Sequence, residues 1–184
     1  MTAPSTAPLD RVQSARLLLE RLAADDLGDW CRMHADPRVM ATLGGLRSED
    51  ESAAMLSQAL EHWERHGFGL WTLRLPEARR YVGRGGLRQL QVGGNEEVEI
   101  AYALLPEYWG RGLATEVAAA SARVAFQELG RSELVAFTLP ANHASRRVME
   151  KVGFRYERDI VHADLLHVLY RLTAADWRAG LFSG

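Results

Sequence analysis

Residues 97–116 constrain the fold of this chain more than any other part of the sequence. They begin with an apolar, β-branched run at 98–105, and two acidic residues, Glu97 and Glu99, occupy alternate positions at its start. This pattern is typical of a strand with one wet face and one buried face. A turn containing Gly110 and Gly112 follows, and then an alanine-rich segment with helical periodicity. The stretch therefore predicts a strand, a glycine turn and a helix in succession.

A glycine turn that opens a helix can bind an anion. The first N–H groups of a helix have no partner within it, and the helix dipole adds partial positive charge at the same place. Gly110 and Gly112 would let the backbone approach a phosphate without an intervening Cβ, and Arg111 adds a cation nearby. A tight turn between packed elements would use the same glycines. On this motif alone, both interpretations stay open.

A second motif lies about thirty residues further along the chain and makes the first more specific. The residues Asn142, Ser145, Lys151, Gly153 and Phe154 have the spacing Asn-x-x-Ser-x-x-x-x-x-Lys-x-Gly-Phe. Together the two motifs resemble the GNAT superfamily of acetyl-coenzyme A dependent N-acetyltransferases. The sequence Pro-Glu-Tyr-Trp-Gly-Arg-Gly-Leu-Ala-Thr-Glu is similar to the branch containing the RimJ/RimL-type ribosomal-protein alanine acetyltransferases.

The resemblance implies the fold and the cofactor. The fold would be α/β (α+β), a GNAT-like single domain with a mixed, mostly antiparallel central sheet flanked by helices. Its central strands would splay to form the acetyl-CoA cleft. The family's pyrophosphate motif, Gln/Arg-x-x-Gly-x-Gly/Ala, falls on residues 109–114, with Trp109 where Gln or Arg is usual.

The resemblance also implies a set of cofactor-binding residues. The pantetheine arm would pair with the backbone of the central strand, the pyrophosphate would rest on the amides of the glycine turn, and Asn142 would hold the arm from the other side. These residues are Tyr102, Ala103, Leu104, Gly110, Arg111, Gly112, Leu113, Ala114, Thr115 and Asn142.

Glu99 is the candidate general base. Period-two alternation places it on one face with Ala101 and Ala103, directed at the cleft beside the central strand. The family often has a glutamate here that accepts the substrate proton directly or through water. With Glu96 and Glu97 beside it, an ordinary solvated strand glutamate is the alternative interpretation.

Ser145 is the candidate general acid. Many family members carry a tyrosine four residues after this position to protonate the leaving thiolate, and this chain has Met149 there. The Ser145 hydroxyl could lie near the sulfur instead. Both Ser145 and Asn142 are also common residues at helix starts, where they cap backbone N–H groups.

Length and composition exclude several classes of protein. The 184 residues suffice for one substantial core and are too few to suggest two. A formal net charge of −2 argues against nucleic acid or a membrane surface as an electrostatic partner. One cysteine cannot form an internal disulfide, and no apolar run is long enough to span a bilayer. We therefore expect a cytoplasmic protein.

The remaining pattern predicts one domain at residues 14–178 behind a flexible tail at residues 1–10. Strands are predicted at 16–22, 68–75, 81–90, 98–105, 134–139, 154–160 and 165–172, and a short turn from 173. Helices are predicted at 24–34, 49–66 after an N-cap at Ser48, 113–130 and 144–152. Gly83, Gly85 and Gly86 indicate a bulge or a close backbone approach. The pair His62 and His66 is expected to face solvent, and no metal site is expected.

Two functions of different classes fit the sequence. The first is acetyl transfer to an amine, and the second is a coenzyme A binding sensor or interaction module without turnover. For the enzyme, a protein N-terminal α-amine is roughly 10% neutral at pH 7, whereas a lysine amine is neutral well below about 0.1% of the time. The easier chemistry favours the α-amine, and a small-molecule amine, such as a polyamine, an amino acid or an antibiotic, stays open as the acceptor. An exposed edge strand would make a homodimer unsurprising.

Overall fold

The computed structural model describes residues 9–181. The first eight residues of the expected N-terminal tail lie outside this range. The next two are held at the edge of the sheet, where Trp71 Nε1 donates to the Leu9 carbonyl at 2.8 Å. Arg21 N donates to the Asp10 carbonyl at 2.7 Å. Residues 9 and 10 of the expected tail are therefore hydrogen-bonded to the sheet.

The described chain contains eight strands and six α-helices. The strands are β1 (Arg11–Gln13), β2 (Leu18–Arg21), β3 (Leu70–Arg74), β4 (Tyr81–Val92), β5 (Asn95–Leu104), β6 (Glu133–Thr138), β7 (Arg155–His162) and β8 (Leu165–Thr173). The helices are α1 (Leu27–His34), α2 (Pro37–Met40), α3 (Glu49–His66), α4 (Leu113–Arg123), α5 (His143–Val152) and α6 (Ala174–Leu181). A π-helical turn, Val124–Glu128, extends α4.

All eight strands form one sheet in the order β1-β2-β3-β4-β5-β6-β8-β7. Neighbours are antiparallel except β5 and β6, which are parallel. The predicted fold class, a mixed and mostly antiparallel sheet in a single domain, is confirmed. No helix within residues 9–181 is both long enough and apolar enough to cross a membrane.

Helices cover both faces of the sheet. On one face, Trp30 of α1 and Leu56 of α3 pack in a cluster with Ala101 of β5. On the other face, Val117 of α4 lies over β4, and the Tyr102 hydroxyl of β5 reaches α5. The side chains of β5 therefore alternate between two separate layers of helices, as period two requires.

Local capping explains where the main helices begin and end. The Ser48 hydroxyl accepts from Glu51 N, and the Glu51 carboxylate accepts from Ser48 N, which completes the predicted capping box of α3. Gly67 then ends this helix in the left-handed conformation with φ of 70°. Gly153, with φ of 103°, ends α5 in the same way.

Three elements were not predicted. Strand β1 is a three-residue edge strand, too short to show alternation. Helix α2 begins at Pro37, soon after the helix predicted at 24–34, and the Asp36 carboxylate caps it by accepting from Arg38 N at 2.9 Å. The terminal turn is the two-turn helix α6, with the Thr173 hydroxyl accepting from Asp176 N.

The prediction of a wet face on β5 is wrong. Glu97 and Glu99 are only 8% and 3% exposed, and each carboxylate is paired with an arginine from another strand. Arg171 donates to Glu97 at 2.8 Å, and Arg88 donates to Glu99. Carboxylates tolerate burial when such partners satisfy them. Alternating acids along one strand do not reveal those partners.

Arg171 also connects several strands on this face of the sheet. From β8, its guanidinium bonds Glu97 on β5, Glu133 on β6 at 2.9 Å and Glu157 on β7. The hydrogen bonds that Arg171 donates to Glu97 and Glu157 raise its pKa, so the guanidinium stays charged. This one side chain therefore joins four strands.

The expectation that His62 faces solvent is also wrong. His62 is half-buried, and its Nε2 accepts from Gln89 N at 2.8 Å. The other ring nitrogen, Nδ1, therefore carries the proton and donates to the Phe68 carbonyl at 3.0 Å. His62 links α3 to β4 and is fully engaged as a structural residue.

The glycines of β4 allow a close approach to β5, as predicted. A Cβ built on Gly83 would lie against the Ala103 carbonyl oxygen and 2.8 Å from Leu104 Cα. We expect Gly83→Ala to lower the free energy of unfolding by about 2–3 kcal/mol, because β5 would have to move. Urea denaturation measures this loss. The control is Gly28→Ala in α1, where nothing lies within 4 Å of an added Cβ and stability should not fall.

Candidate active site

The two parallel strands at the centre of the sheet separate soon after they meet. Within residues 9–181, β5 pairs with β6 at one position, Glu99 with Val135. On its other side β5 pairs with β4 along its whole length, from Asn95 to Leu104. Residues 101–104 therefore border a gap on the side of β6.

Backbone groups of β5 point into this gap. Leu105 N donates to the Val82 carbonyl at 2.9 Å, which fixes the register at the end of β5. Because alternate residues of a strand bond to opposite neighbours, Ala103 faces β4, while Tyr102 and Leu104 face the gap. The backbone groups of Tyr102 and Leu104 therefore fit the predicted pairing with a pantetheine arm, whereas those of Ala103 already serve the sheet.

Trp109 closes the end of this backbone edge. Its indole Nε1 donates to the Leu104 carbonyl at 2.8 Å, although the side chain is 49% exposed. This residue stands where the family motif usually has Gln or Arg. The indole supplies one N–H donor and no charge at that position.

A run of six amides follows at the mouth of the gap. Among the described residues, none of the N–H groups of residues 110–115 has a hydrogen-bond acceptor, and the first intrahelical bond is from Glu116 N to the Gly112 carbonyl. Gly110 and Gly112 have φ of 72° and 74°, a left-handed conformation that favours glycine. Consecutive free amides at a helix start fit a pyrophosphate.

Arg16 fixes the shape of the glycine turn. Its NH1 donates to the Arg111 carbonyl and its Nε donates to Glu116, both at 2.8 Å. Glu116 also accepts from the Ser14 hydroxyl and from Arg16 N. Because the first turn of α4 is tied in this way to the segment before β2, its free amides are held in position without a ligand. Arg111 itself is exposed and lies over the Tyr108 ring.

Glu99 lies at the inner end of the gap. Its carboxylate Oε2 accepts from Arg88 Nε at 2.8 Å and from Arg88 NH2 at 2.5 Å. No group of residues 9–181 donates to the other oxygen, Oε1. A carboxylate held by one oxygen and free at the other can accept a proton from an incoming amine.

Ser145 lies across the gap from β5 and is bonded to Tyr102. The two hydroxyl oxygens are 3.0 Å apart, and Tyr102 also donates to the Ser145 carbonyl at 3.2 Å. The pKa of Tyr102 is raised to about 12, chiefly by burial, with the Ser145 bond opposing the shift and Glu99 adding to it, so the phenol is neutral near pH 7. The one proton of the phenol is donated to Ser145, which leaves the Ser145 hydroxyl as the candidate donor on the face opposite Glu99.

Asn142 and Met149 occupy structural positions on α5. The Asn142 side chain caps the helix by accepting from Ser145 N at 3.1 Å, and it donates to Thr138 Oγ1 at 3.0 Å. One N–H of its amide remains for another acceptor. Met149, at the position of the usual tyrosine, is 2% exposed and belongs to the core.

His34 lies under the same face of the sheet as Glu99 and is fully buried. Ser52 donates its hydroxyl proton to the Ser48 carbonyl, so His34 Nδ1 donates to Ser52 Oγ at 3.0 Å and Nε2 is unprotonated. The pKa of His34 is lowered to about 4, chiefly by burial and also by the positive charges of Arg84 and Arg47.

This histidine makes the fold acid-sensitive. Above pH 6.5 its contribution to stability is complete. As the pH falls from 6.5 to about 4, the unfolded state binds a proton at this histidine that the native state does not bind, and the native state loses stability. We expect the wild type to lose about 3 kcal/mol more than His34→Asn over this interval. Urea denaturation at pH 7, 5.5 and 4.5 measures the difference. Parallel stability curves for the two proteins would contradict the assignment.

Sequence reasoning missed three contributors to this site. Arg88 could have been found, because the hairpin turn at Gly93 and Gly94 sets the register that places residue 88 opposite Glu99. Arg16 gives no local signal, since about 100 residues separate it from the glycine turn that it holds. The Tyr102 hydroxyl was also missed, because its partner on α5 depends on the packing of two distant elements.

No group of three His, Cys, Asp or Glu within residues 9–181 could hold a metal ion.

A splayed parallel pair in an otherwise antiparallel sheet, with a helix start of free amides at its mouth, defines an acetyltransferase fold. The chain belongs to the acetyltransferase (GNAT) domain family, whose match spans residues 16–155.

Known proteins of similar sequence and structure agree with this family. YkkB of Bacillus subtilis is 29% identical over 125 residues, which cover 68% of this chain and 73% of that protein. The FsC-acetyl coenzyme A-N(2)-transacetylase of Aspergillus fumigatus is 27% identical over 183 residues, covering 90% of this chain and 77% of that protein. The crystal structure of an acetyltransferase from Agrobacterium tumefaciens has the same fold, with a TM-score of 0.80 at 24% identity, covering 94% of this chain and 99% of that chain.

Proposed function

We propose that this acetyltransferase moves an acetyl group directly from acetyl-coenzyme A to a primary amine. The observation that carries the proposal is that three features meet at one gap. They are the backbone edge of Tyr102 and Leu104, the amides of residues 110–115, and Glu99. The six amides without acceptors are held in place by Arg16, which supports binding of a pyrophosphate rather than a simple turn. The name of the fungal relative, which includes acetyl coenzyme A, agrees with this cofactor.

Glu99 serves as the base. Arg88 holds its Oε2, and Oε1 accepts the proton of the attacking amine. Acetyl-coenzyme A, when bound, supplies the acetyl group as a thioester. The backbone N–H groups of Tyr102 and Leu104 are the donors on β5 that face the gap, so they are the candidates to stabilise the carbonyl oxygen as it gains negative charge.

The Ser145 hydroxyl acts on the leaving sulfur as a hydrogen-bond donor, and Tyr102, which donates its own proton to Ser145, holds Ser145 in place. A phenol with a pKa of about 12 is a weaker acid than a thiol of pKa about 8.5, so complete proton transfer from Tyr102 to the thiolate would be uphill. The pair can still stabilise the developing charge, and water can deliver the proton. This pair takes the place of the family's usual tyrosine, because the chain has Met149 at that position.

The acceptor is either a protein N-terminal α-amine or a small-molecule amine. The sequence similarity to the RimJ/RimL branch supports the first, and the name of the fungal relative supports a small molecule. The second candidate function, a coenzyme A binding module without turnover, is favoured by the burial of Met149 in the core at the usual acid position.

A thermal-shift titration with acetyl-coenzyme A, followed by thiol release against amines and N-terminal peptides, tests the proposal. Binding to the native state raises the melting temperature with ligand concentration. We expect a shift together with amine-dependent thiol release. A shift without release for any acceptor supports the binding module, and no shift contradicts both functions.

A further inference from the structure

Three buried polar atoms without partners lie in one neighbourhood beside the proposed active site. Within residues 9–181, Trp30 Nε1, His34 Nε2 and Arg84 Nε are enclosed and make no hydrogen bond. The Trp30 and His34 rings are 5.4 Å apart, and the Arg84 guanidinium lies 4.9 Å from the centre of the Trp30 ring. Buried polar groups are nearly always satisfied, so three unsatisfied ones grouped around Trp30 call for a partner that the described chain does not supply.

Arg84 is the charged member of this group and has no counter-ion. It is 8% exposed, and no carboxylate in the described chain forms an ion pair with it. The pKa of Arg84 is lowered to about 10, chiefly by burial and also by the positive charge of Arg88. An arginine is still charged at pH 7 with such a pKa, and an unpaired buried charge is costly to the fold. Stacking on Trp30 offsets a part of that cost only.

The charge of Arg84 lies on the same face as Glu99. Arg84 and Arg88 are four residues apart on β4, opposite Ala103 and Glu99 of β5. Their Cα atoms are therefore about 13 Å apart along the strand, a distance that the two long side chains shorten. Between them on this face β5 presents the small, half-buried Ala101, against which Trp30 and Leu56 pack. A ligand that lies along β5 from Glu99 to Arg84 would therefore contact this cluster.

We infer that the acceptor is a small amine that also carries a carboxylate, with its amine at Glu99 and its carboxylate at Arg84. This inference rests on the proposed function and names its substrate class. The planar guanidinium can bind a carboxylate with two parallel hydrogen bonds, and the surrounding burial strengthens them. A bound carboxylate would also satisfy the charge that the protein leaves unpaired.

The test compares amino acids with their neutral amides. Glycine, β-alanine and 4-aminobutanoate are each measured against the corresponding primary amide by thiol release, per neutral amine. We expect the wild type to prefer the acid by about 10- to 100-fold in kcat/KM. Arg84→Met should reduce the preference to within about twofold, mainly by raising KM for the acids. The exposed Arg80→Met is the matched control and should keep the wild-type preference.

Thermal shift gives a second readout that does not require turnover. The amino acids should raise the melting temperature of the wild type and of Arg80→Met, and should leave that of Arg84→Met unchanged. Arg84→Met alone should melt no lower than the wild type, because it removes an unpaired buried charge. Arg84→Lys, which keeps the charge, should retain a part of the preference.

Several outcomes would overturn the inference while leaving acetyl transfer intact. These are equal use of acids and amides by the wild type, an unchanged preference in Arg84→Met, or a large loss of stability in that variant, which would make Arg84 a structural residue. A larger Arg84-dependent shift with inorganic phosphate than with acetate would contradict the carboxylate class. Absence of thiol release with every acceptor would instead refute the proposed function, and the thermal shifts would then decide on the carboxylate site alone.

Discussion

Glu99→Gln should lower kcat for acetyl transfer by about 100- to 10,000-fold, the range that loss of a general base produces. The amide keeps the size of the side chain and can still accept hydrogen bonds from Arg88, whose side chain is 39% exposed and can reach water. The substitution removes the ability of Oε1 to take a proton from the amine. Because Glu99 lies on the face opposite the Tyr102 hydroxyl, affinity for acetyl-coenzyme A should stay within about twofold of the wild type.

Steady-state thiol release and a thermal-shift titration on the same preparation separate these effects. Glu96→Gln is the control, since Glu96 is exposed on the same strand and should keep full activity. If Glu99→Gln retained more than about a tenth of the wild-type kcat, the role of base would pass to another group. Equal loss in both variants would point to a general electrostatic effect.

Gly110→Asp should weaken binding of acetyl-coenzyme A by about 10- to 100-fold. The new carboxylate would lie beside the free amides of residues 110–115 and repel the pyrophosphate that they are proposed to hold. Space does not limit the substitution, because nothing lies within 4 Å of a Cβ built on Gly110. Asp and Asn both tolerate a φ of 72° better than other residues with a side chain.

Gly110→Asn is the matched control, because it has the same shape and backbone cost and carries no charge. Its dissociation constant should lie within a few-fold of the wild type, and isothermal titration calorimetry measures both. The difference between the two variants should shrink as salt is raised, since the interaction is electrostatic at an exposed position. Equal affinities of Asp and Asn at low salt would exclude residue 110 from the anion site.

Much of the fold follows from short-range signals in the sequence. Both ends of α3 were predicted correctly, from the capping pair Ser48 and Glu51 at its start and from Gly67 at its end. The glycines of β4 indicated the close approach at Gly83. The unexpected elements depend on contacts rather than patterns. Strand β1 exists because it pairs with β2, and α2 starts at a proline because Asp36 caps it.

The candidate site was predictable as far as the motifs extend. They indicated the glycine turn, Glu99 and Ser145, and the structure brings these to one gap. The motifs could not show that Glu99 is buried against Arg88 or that Ser145 bonds Tyr102, since each partner comes from a different element. The unpaired charge of Arg84 is likewise invisible in sequence, where an arginine in a strand is most simply read as exposed.

The single pairing of Glu99 with Val135 has a consequence for how the protein unfolds. Strands β1–β5 form one continuous hydrogen-bonded ladder and β6–β8 another, and besides that bridge the Arg171 ion pairs cross between them. One hydrophobic core spans both halves, so the weak point lies in the backbone hydrogen bonds, and amides near the seam should exchange with solvent sooner than amides within either ladder. A cofactor arm lying along β5 would close the seam, so catalytic competence and unfolding cooperativity would rise together on binding.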